Sequence, residues 1–151
     1  MNRLLILAGA LSLVTGCSSS YQPARSPRIV TVMESGMPTF VKDGQSYGSP
    51  AFGSGLVDAV QGNPRATQQA RLGRNLAIGG FVLDLAGLGT EVAGFAALDA
   101  HRGGDQSLGL GLLVGGLGGV LVGTILLLNA QPHMYDAVNI YNDGLDAPKQ
   151  P

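Results

Sequence analysis

The sequence predicts a mainly α-helical, membrane-associated chain: an antiparallel, glycine-rich transmembrane helical hairpin with a small β-hairpin and helix portion outside it. Three observations carry this prediction. Hydrophobic residues make up 45% of the 151 residues and charged ones only 13%, about half the charged share of an ordinary soluble protein. Two predominantly apolar stretches, 75–98 and 107–130, are each long enough to cross about 30 Å of hydrocarbon as a helix. Within those stretches glycine recurs at helical spacings rather than in a collagen-like period of three. The net charge of -1 supplies no basic field for nucleic acid. The single cysteine, Cys17, rules out an intramolecular disulfide.

The N-terminus, MNRLLILAGALSLVTGC, sets one positive charge at Arg3 before an apolar run from Leu4 to Val14 and small residues before Cys17. This is the layout of a secretory signal, with an apolar core too short to span a bilayer. Its ending, Val14-Thr15-Gly16-Cys17, resembles the lipobox of bacterial lipoproteins. The resemblance implies removal of residues 1–16 as a signal peptide and acylation of Cys17, palmitate on the cysteine being the only non-protein group expected. Ser18, where an aspartate would favour inner-membrane retention, implies the outer membrane of the cell envelope, with the following chain facing the periplasm. An uncleaved anchor with a chance cysteine is the alternative. Residues 17–27, polar and proline-bearing, read as a flexible tether.

Residues 28–74 read as a small α/β periplasmic portion. RIVTVM is β-branched and suits a pleated surface. Asp43-Gly44 lies between two short strand-like runs, and both residues tolerate the positive φ of a tight hairpin turn. Lys42 and Asp43 belong to a solvated turn rather than to a site. Ser54 is the expected N-cap of a short helix through Gln61, ended by Gly62. Asn63-Pro64 starts another helix, Asn63 capping it and Pro64 taking the first turn, where no N–H is needed. Arg65, Arg71 and Arg74 then stand where long cationic side chains reach lipid headgroups.

The hairpin occupies 75–130. In 107–130, Leu110, Leu113, Leu117, Leu121 and Leu128 cluster on one side at about 100° per residue. Gly111, Gly115, Gly119 and Gly123 recur every four residues on the other. Lipid removes the hydrophobic drive for helix association, and close backbone approach through small residues replaces it. That four-residue rail, a glycine zipper, is therefore the expected packing groove. In 75–98, Gly80, Gly87 and Gly94 continue a seven-residue repeat from Gly73, and Asp84 and Glu91, also seven apart, share that side. A charged side chain at mid-bilayer costs about 2.5–3.5 kcal/mol or more, so neither acid should face lipid. They serve either as buried polar groups of a helix interface, fixing register or oligomer state, or as the lining of a proton or cation path in an oligomer. A third possibility is that 75–98 is a buried soluble or interfacial helix. The connection, DAHRGGDQ, is short enough to force the two stretches antiparallel.

In 131–151, Met134, Ala137, Val138 and Tyr141 fall at i, i+3, i+4 and i+7 and predict a short amphipathic helix after Pro132, stopped by Gly144 and followed by a loose tail. His133 and Asp136 invite a metal reading, but the second histidine, His101, lies at the other end of the hairpin, so no metal is expected. No nucleophile–base set or phosphate loop is present, and no enzyme activity or small-molecule substrate is expected. The order of strand pair with Asp-Gly, helix at GNPRA, two glycine-rich spans and closing DAVNIYN resembles a group of bacterial envelope proteins of no assigned activity. That resemblance implies an architecture alone. The functional expectation is a structural or interaction role in a membrane assembly, with the lipid bilayer and either further copies of the chain or other envelope proteins as partners. The alternative is a small oligomeric channel.

Overall fold

The computed structural model describes residues 25–34, 37–47, 53–100 and 106–146. The expected signal peptide, Cys17, most of the expected tether, the loop with His101 and Arg102 and the last five residues lie outside the described residues. The chain is mainly helical, with two long apolar helices and a small three-stranded antiparallel sheet.

The strands β1 (Val30–Glu34), β2 (Met37–Lys42) and β3 (Gln45–Tyr47) pair in that order. Register runs from Val30 opposite Val41 to Glu34 opposite Met37, and from Phe40 opposite Tyr47 to Lys42 opposite Gln45. Asp43 (φ 54) and Gly44 (φ 79) both take the left-handed conformation between β2 and β3, as the Asp-Gly pair demands. A third strand joins the expected hairpin, so one edge of β2 is not left bare.

Helix α1 (Ser54–Ala59) is shorter than expected, and its N-cap is Gly53 at φ 56 with no side-chain cap. A side chain at Gly53 would press on Met134 Cε at 3.2 Å, so that position is fixed by space as well as by φ. Helix α2 runs from Pro64 to Ala100 without a break. Asn63 caps it, Oδ1 accepting from the Ala66 N–H at 3.2 Å.

Helix α3, Ser107–Asp146, is one continuous 40-residue helix. The separate short helix expected after Pro132 is therefore corrected: Pro132 lies inside α3. It occupies an exposed position, so the ring and the Leu128 carbonyl it leaves without an N–H partner face outward. Met134, Ala137 and Val138 meanwhile stay buried against the rest of the fold, and this packing holds the helix past the proline. Gly144 does not stop the helix either. It lets the backbone pass Asn63, whose Nδ2 would lie 2.9 Å from a Cβ there and donates to the Ile140 carbonyl at 3.2 Å.

The sheet and α1 sit on the end of the hairpin where α2 begins and α3 finishes. Ile29, Phe40, Leu56 and Val60 pack with Ala66, Ala70, Met134, Ala137 and Val138 in one core. The Phe40 ring meets Tyr135 edge-on, with centroids 6.5 Å apart. Asn142 acts as a surrogate strand: its Oδ1 accepts from the Ile29 N–H and its Nδ2 donates to the Ile29 carbonyl, both at 2.9 Å. Lys42 Nζ donates to the Ala59 carbonyl at 2.7 Å, at the negative end of α1, and stands 4.5 Å from the centre of the Tyr141 ring.

Candidate functional site

The feature that distinguishes this molecule is the seam between α2 and α3. Its buried positions on α2 include Ala66, Gly73, Gly80, Gly87 and Gly94, and on α3 Gly109, Gly116, Gly123, Ala130 and Ala137. Both sets step by seven, and each step of seven up α2 meets a step of seven down α3. A Cβ placed on Gly80 would lie 2.6 Å from the Gly123 carbonyl oxygen, and one on Gly87 2.7 Å from that of Gly116. At Gly94 the Gly109 oxygen would be 3.0 Å away, and at Gly73 the Ala130 oxygen 3.0 Å away. Backbone lies directly on backbone, and only glycine fits the three glycine pairs.

Side chains flank these pairs on both edges. Leu113, Val120, Leu127 and Met134 of α3 seat against Gly94, Gly87, Gly80 and Gly73. In the other direction Leu98, Glu91 and Asp84 of α2 seat against Gly109, Gly116 and Gly123. This is knobs-into-holes packing with the period of a left-handed supercoil.

The expected packing residues divide accordingly. Gly80, Gly87, Gly94 and Gly123 lie in the seam, and Gly119 lies at its edge, 3.3 Å from the Gly87 Cα when given a Cβ. Gly111 and Gly115 are exposed and have open space in front of them, so the four-residue rail is not the intrachain groove. The reason is angular. Steps of four advance 40° per repeat, so over 12 residues the rail walks 120° around α3, whereas a step of seven drifts only about 20°. A long straight contact with a seven-residue partner selects Gly109 and Gly116 instead. Leu113, expected on the lipid-facing leucine side, is half-buried as a knob on Gly94. Its spacing of seven from Val120, Leu127 and Met134 was the available signal.

Asp84 and Glu91 both point into the seam. Glu91 lays its Cγ over Gly116, where a Cβ would be 2.7 Å away. Asp84 lays its carboxylate on Gly123, and a methyl there would overlap Oδ1. Asp84 Oδ1 is a buried side-chain oxygen with no hydrogen-bond partner. What faces it is a Gly123 Cα–H, at best a weak donor. No Lys or Arg occurs between Arg74 and Arg102, nor between Ser107 and Pro132, so no cation from either span reaches it.

Outside the seam the polarity is inverted relative to a water-soluble helical pair. Val82, Leu85, Leu88, Val92 and Phe95 on α2, and Leu110, Val114, Leu117, Leu121 and Leu128 on α3, are all at least half exposed. In each helix only 11% of the most apolar 18-residue window is buried, and both helices are long and apolar enough to cross a membrane. Among the described residues no group of three potential ligands could hold a metal. The chain matches no known family model, curated protein or solved structure.

Proposed function

We propose that this chain is a membrane-anchored envelope lipoprotein with a structural or interaction role. In this reading the α2–α3 hairpin crosses the bilayer, and acylated Cys17 adds a second anchor on the side of the α/β head. The observation that carries it is the inverted hairpin: glycine and alanine at the fully buried positions of the two spans, and most of their leucine, valine and phenylalanine outside. In water a helical pair buries its large apolar side chains. Packing the smallest residues inward while exposing the largest is stable only where the surroundings are as apolar as leucine. The exposed belt from Ile78 to Phe95 is about 26 Å long by helical rise, close to a hydrocarbon core.

Membrane fractionation of wild type and Cys17→Ala, with labelled palmitate, tests both halves. The expected result is label on wild type, none on Cys17→Ala, and both chains retained in membranes after alkaline carbonate. Release of Cys17→Ala by carbonate overturns the spanning hairpin, and unlabelled wild type overturns the lipid anchor. Separating outer from inner membrane in the same experiment tests the placement that Ser18 implies.

A second reading, a small oligomeric channel lined by Asp84 and Glu91, is favoured by one observation: the buried Asp84 oxygen has no hydrogen-bond partner among the described residues. Conductance in planar bilayers that is lost in Asp84→Asn and Glu91→Gln supports it. Conductance unchanged in those variants removes the acids from the path.

A further inference from the structure

The first turns of α2 carry Arg65, Arg71 and Arg74, and no acidic residue occurs between Pro64 and Leu83. All three arginines are exposed, and among the described residues the only salt bridge joins Arg28 to Asp146. Arg71 differs from the other two in lining a cleft of about 610 Å³, together with Gln61, Gly62, Pro64, Thr67 and Gln68. One wall is the α1–α2 turn, set by Gly62 at φ 98, and the other is the start of α2. Gln61 Nε2 donates to Asp58 Oδ1 at 3.1 Å, and the Thr67 hydroxyl donates to the Val60 carbonyl at 3.3 Å. The Arg71 guanidinium and the Gln68 amide are exposed donors of the cleft, and no carboxylate is among the residues that line it.

An apolar track leads away from this cleft. Arg71, Asn75, Ile78 and Val82 follow at i, i+4, i+7 and i+11 and form one column along the helix. Ile78 is 39% and Val82 58% exposed, so the column is bare. Ile78 lies about 10 Å and Val82 about 16 Å along the axis from Arg71. With the apolar belt in hydrocarbon, the guanidinium stands at headgroup depth and the column below it at acyl-chain depth.

We propose that the cleft binds the phosphate headgroup of an anionic glycerophospholipid. Arg71 takes the phosphate oxygens through its planar fork of donors, Gln68 bonds the polar headgroup, and the acyl chains lie on Ile78 and Val82. Charge complementarity and the continuity of cation, cleft and apolar column commit the site to a lipid. The proposal rests on the spanning hairpin and adds a specific lipid to it.

The test reconstitutes the full chain in phosphatidylcholine vesicles containing a trace of spin-labelled phosphatidylglycerol or spin-labelled phosphatidylcholine. The motionally restricted fraction gives the relative association of the two lipids. The expected preference for phosphatidylglycerol is about fivefold, the equivalent of ~1 kcal/mol for one cation at the membrane surface. Arg71→Gln abolishes the preference, Arg71→Lys keeps most of it, and Arg65→Gln, about 120° away around the helix, keeps it. Arg71 is exposed and has no hydrogen bond or ion pair from its side chain among the described residues, so these variants leave the fold intact.

Retention of the preference in Arg71→Gln overturns the proposal. So does equal loss in Arg65→Gln and Arg71→Gln, which marks diffuse charge attraction. Displacement of the label by millimolar inorganic phosphate assigns the cleft to a soluble anion and overturns the lipid. A chain that fails to float with the vesicles removes the hairpin reading itself, whereas co-flotation without lipid preference removes only the site.

Discussion

Substituting Gly87 by alanine tests the seam at its middle glycine pair. A methyl there would lie 2.7 Å from the Gly116 carbonyl oxygen, 2.7 Å from the Val120 backbone nitrogen and 2.8 Å from Val120 Cγ2. Two of those atoms are backbone, so no rotamer change relieves the overlap. The helices must part by about 0.7 Å to restore ordinary contact, loosening the packing of the neighbouring pairs as well. Overpacking of this kind costs about 1–3 kcal/mol, against a gain of up to about 1 kcal/mol from replacing a helical glycine. The expected net loss is about 1–2 kcal/mol. Gly115→Ala is the matched control: a Cβ there meets nothing within 4 Å, so only the helix-propensity gain of up to about 1 kcal/mol remains. A separation of roughly 1–3 kcal/mol between two Gly→Ala changes 28 residues apart follows from packing alone, because the helix-propensity gain is common to both. The assay is hairpin opening in dodecylmaltoside micelles titrated with SDS, followed by energy transfer between dyes at Leu72→Cys and Gln131→Cys in a Cys17→Ser background. Both label sites are exposed. An opening midpoint for Gly87→Ala equal to or above that of Gly115→Ala refutes the seven-residue seam.

Three further outcomes follow from single contacts. Asn142→Ala removes both hydrogen bonds to the Ile29 backbone and leaves its N–H and C=O unpaired beside the core, a loss of about 1–3 kcal/mol; amide exchange at Ile29 should accelerate while exchange in the α2–α3 seam stays slow. Asp84→Asn keeps the shape over Gly123 and replaces the carboxyl by a neutral amide, lowering the cost of burying a polar group whose Oδ1 has no partner among the described residues. The hairpin should open at higher SDS in that variant, and opening at lower SDS would mean that the charge has a partner. Pro132→Ala restores a backbone N–H for the Leu128 carbonyl inside α3; a higher opening midpoint is expected, and a lower one would show that the proline is needed to seat Met134 on Gly73.

Much of the scaffold was legible because each signal was local. Asp43-Gly44 announced its turn through backbone conformations that few residue pairs share. Asn63-Pro64 announced a helix start, and the two apolar helices announced themselves by length. The seam was only half legible, for a reason specific to α3. Gly73, Gly80, Gly87 and Gly94 stand out as one repeat because few other glycines surround them. In α3, glycines at 109, 111, 115, 116, 118, 119 and 123 satisfy a period of four and a period of seven together. Nothing within α3 chooses between them. The choice comes from α2, whose heptad fixes the geometry of the shared contact, so the period of one helix becomes readable only beside the other. The continuity of α3 through Pro132 has the same origin, since a tertiary contact that buries Met134, Ala137 and Val138 overrides a local breaker.

The glycines left over carry the argument one step further. Gly79, Gly89, Gly111, Gly115 and Gly118 meet nothing within 4 Å when given a Cβ, and each costs its helix up to about 1 kcal/mol relative to alanine. The intrachain seam does not require them, and neither does any turn, since all five lie inside α2 or α3. Their cost is therefore offset by no contact among the described residues. In a bilayer, close approach of another backbone is the interaction that exposed helical glycine makes possible. The inner glycines explain how the hairpin closes on itself, while the outer ones bear on whether it stands alone. For the assembly role proposed above, that division predicts two phenotypes: seam substitutions that open the hairpin, and outer-face substitutions that leave it closed but weaken its association with another helix.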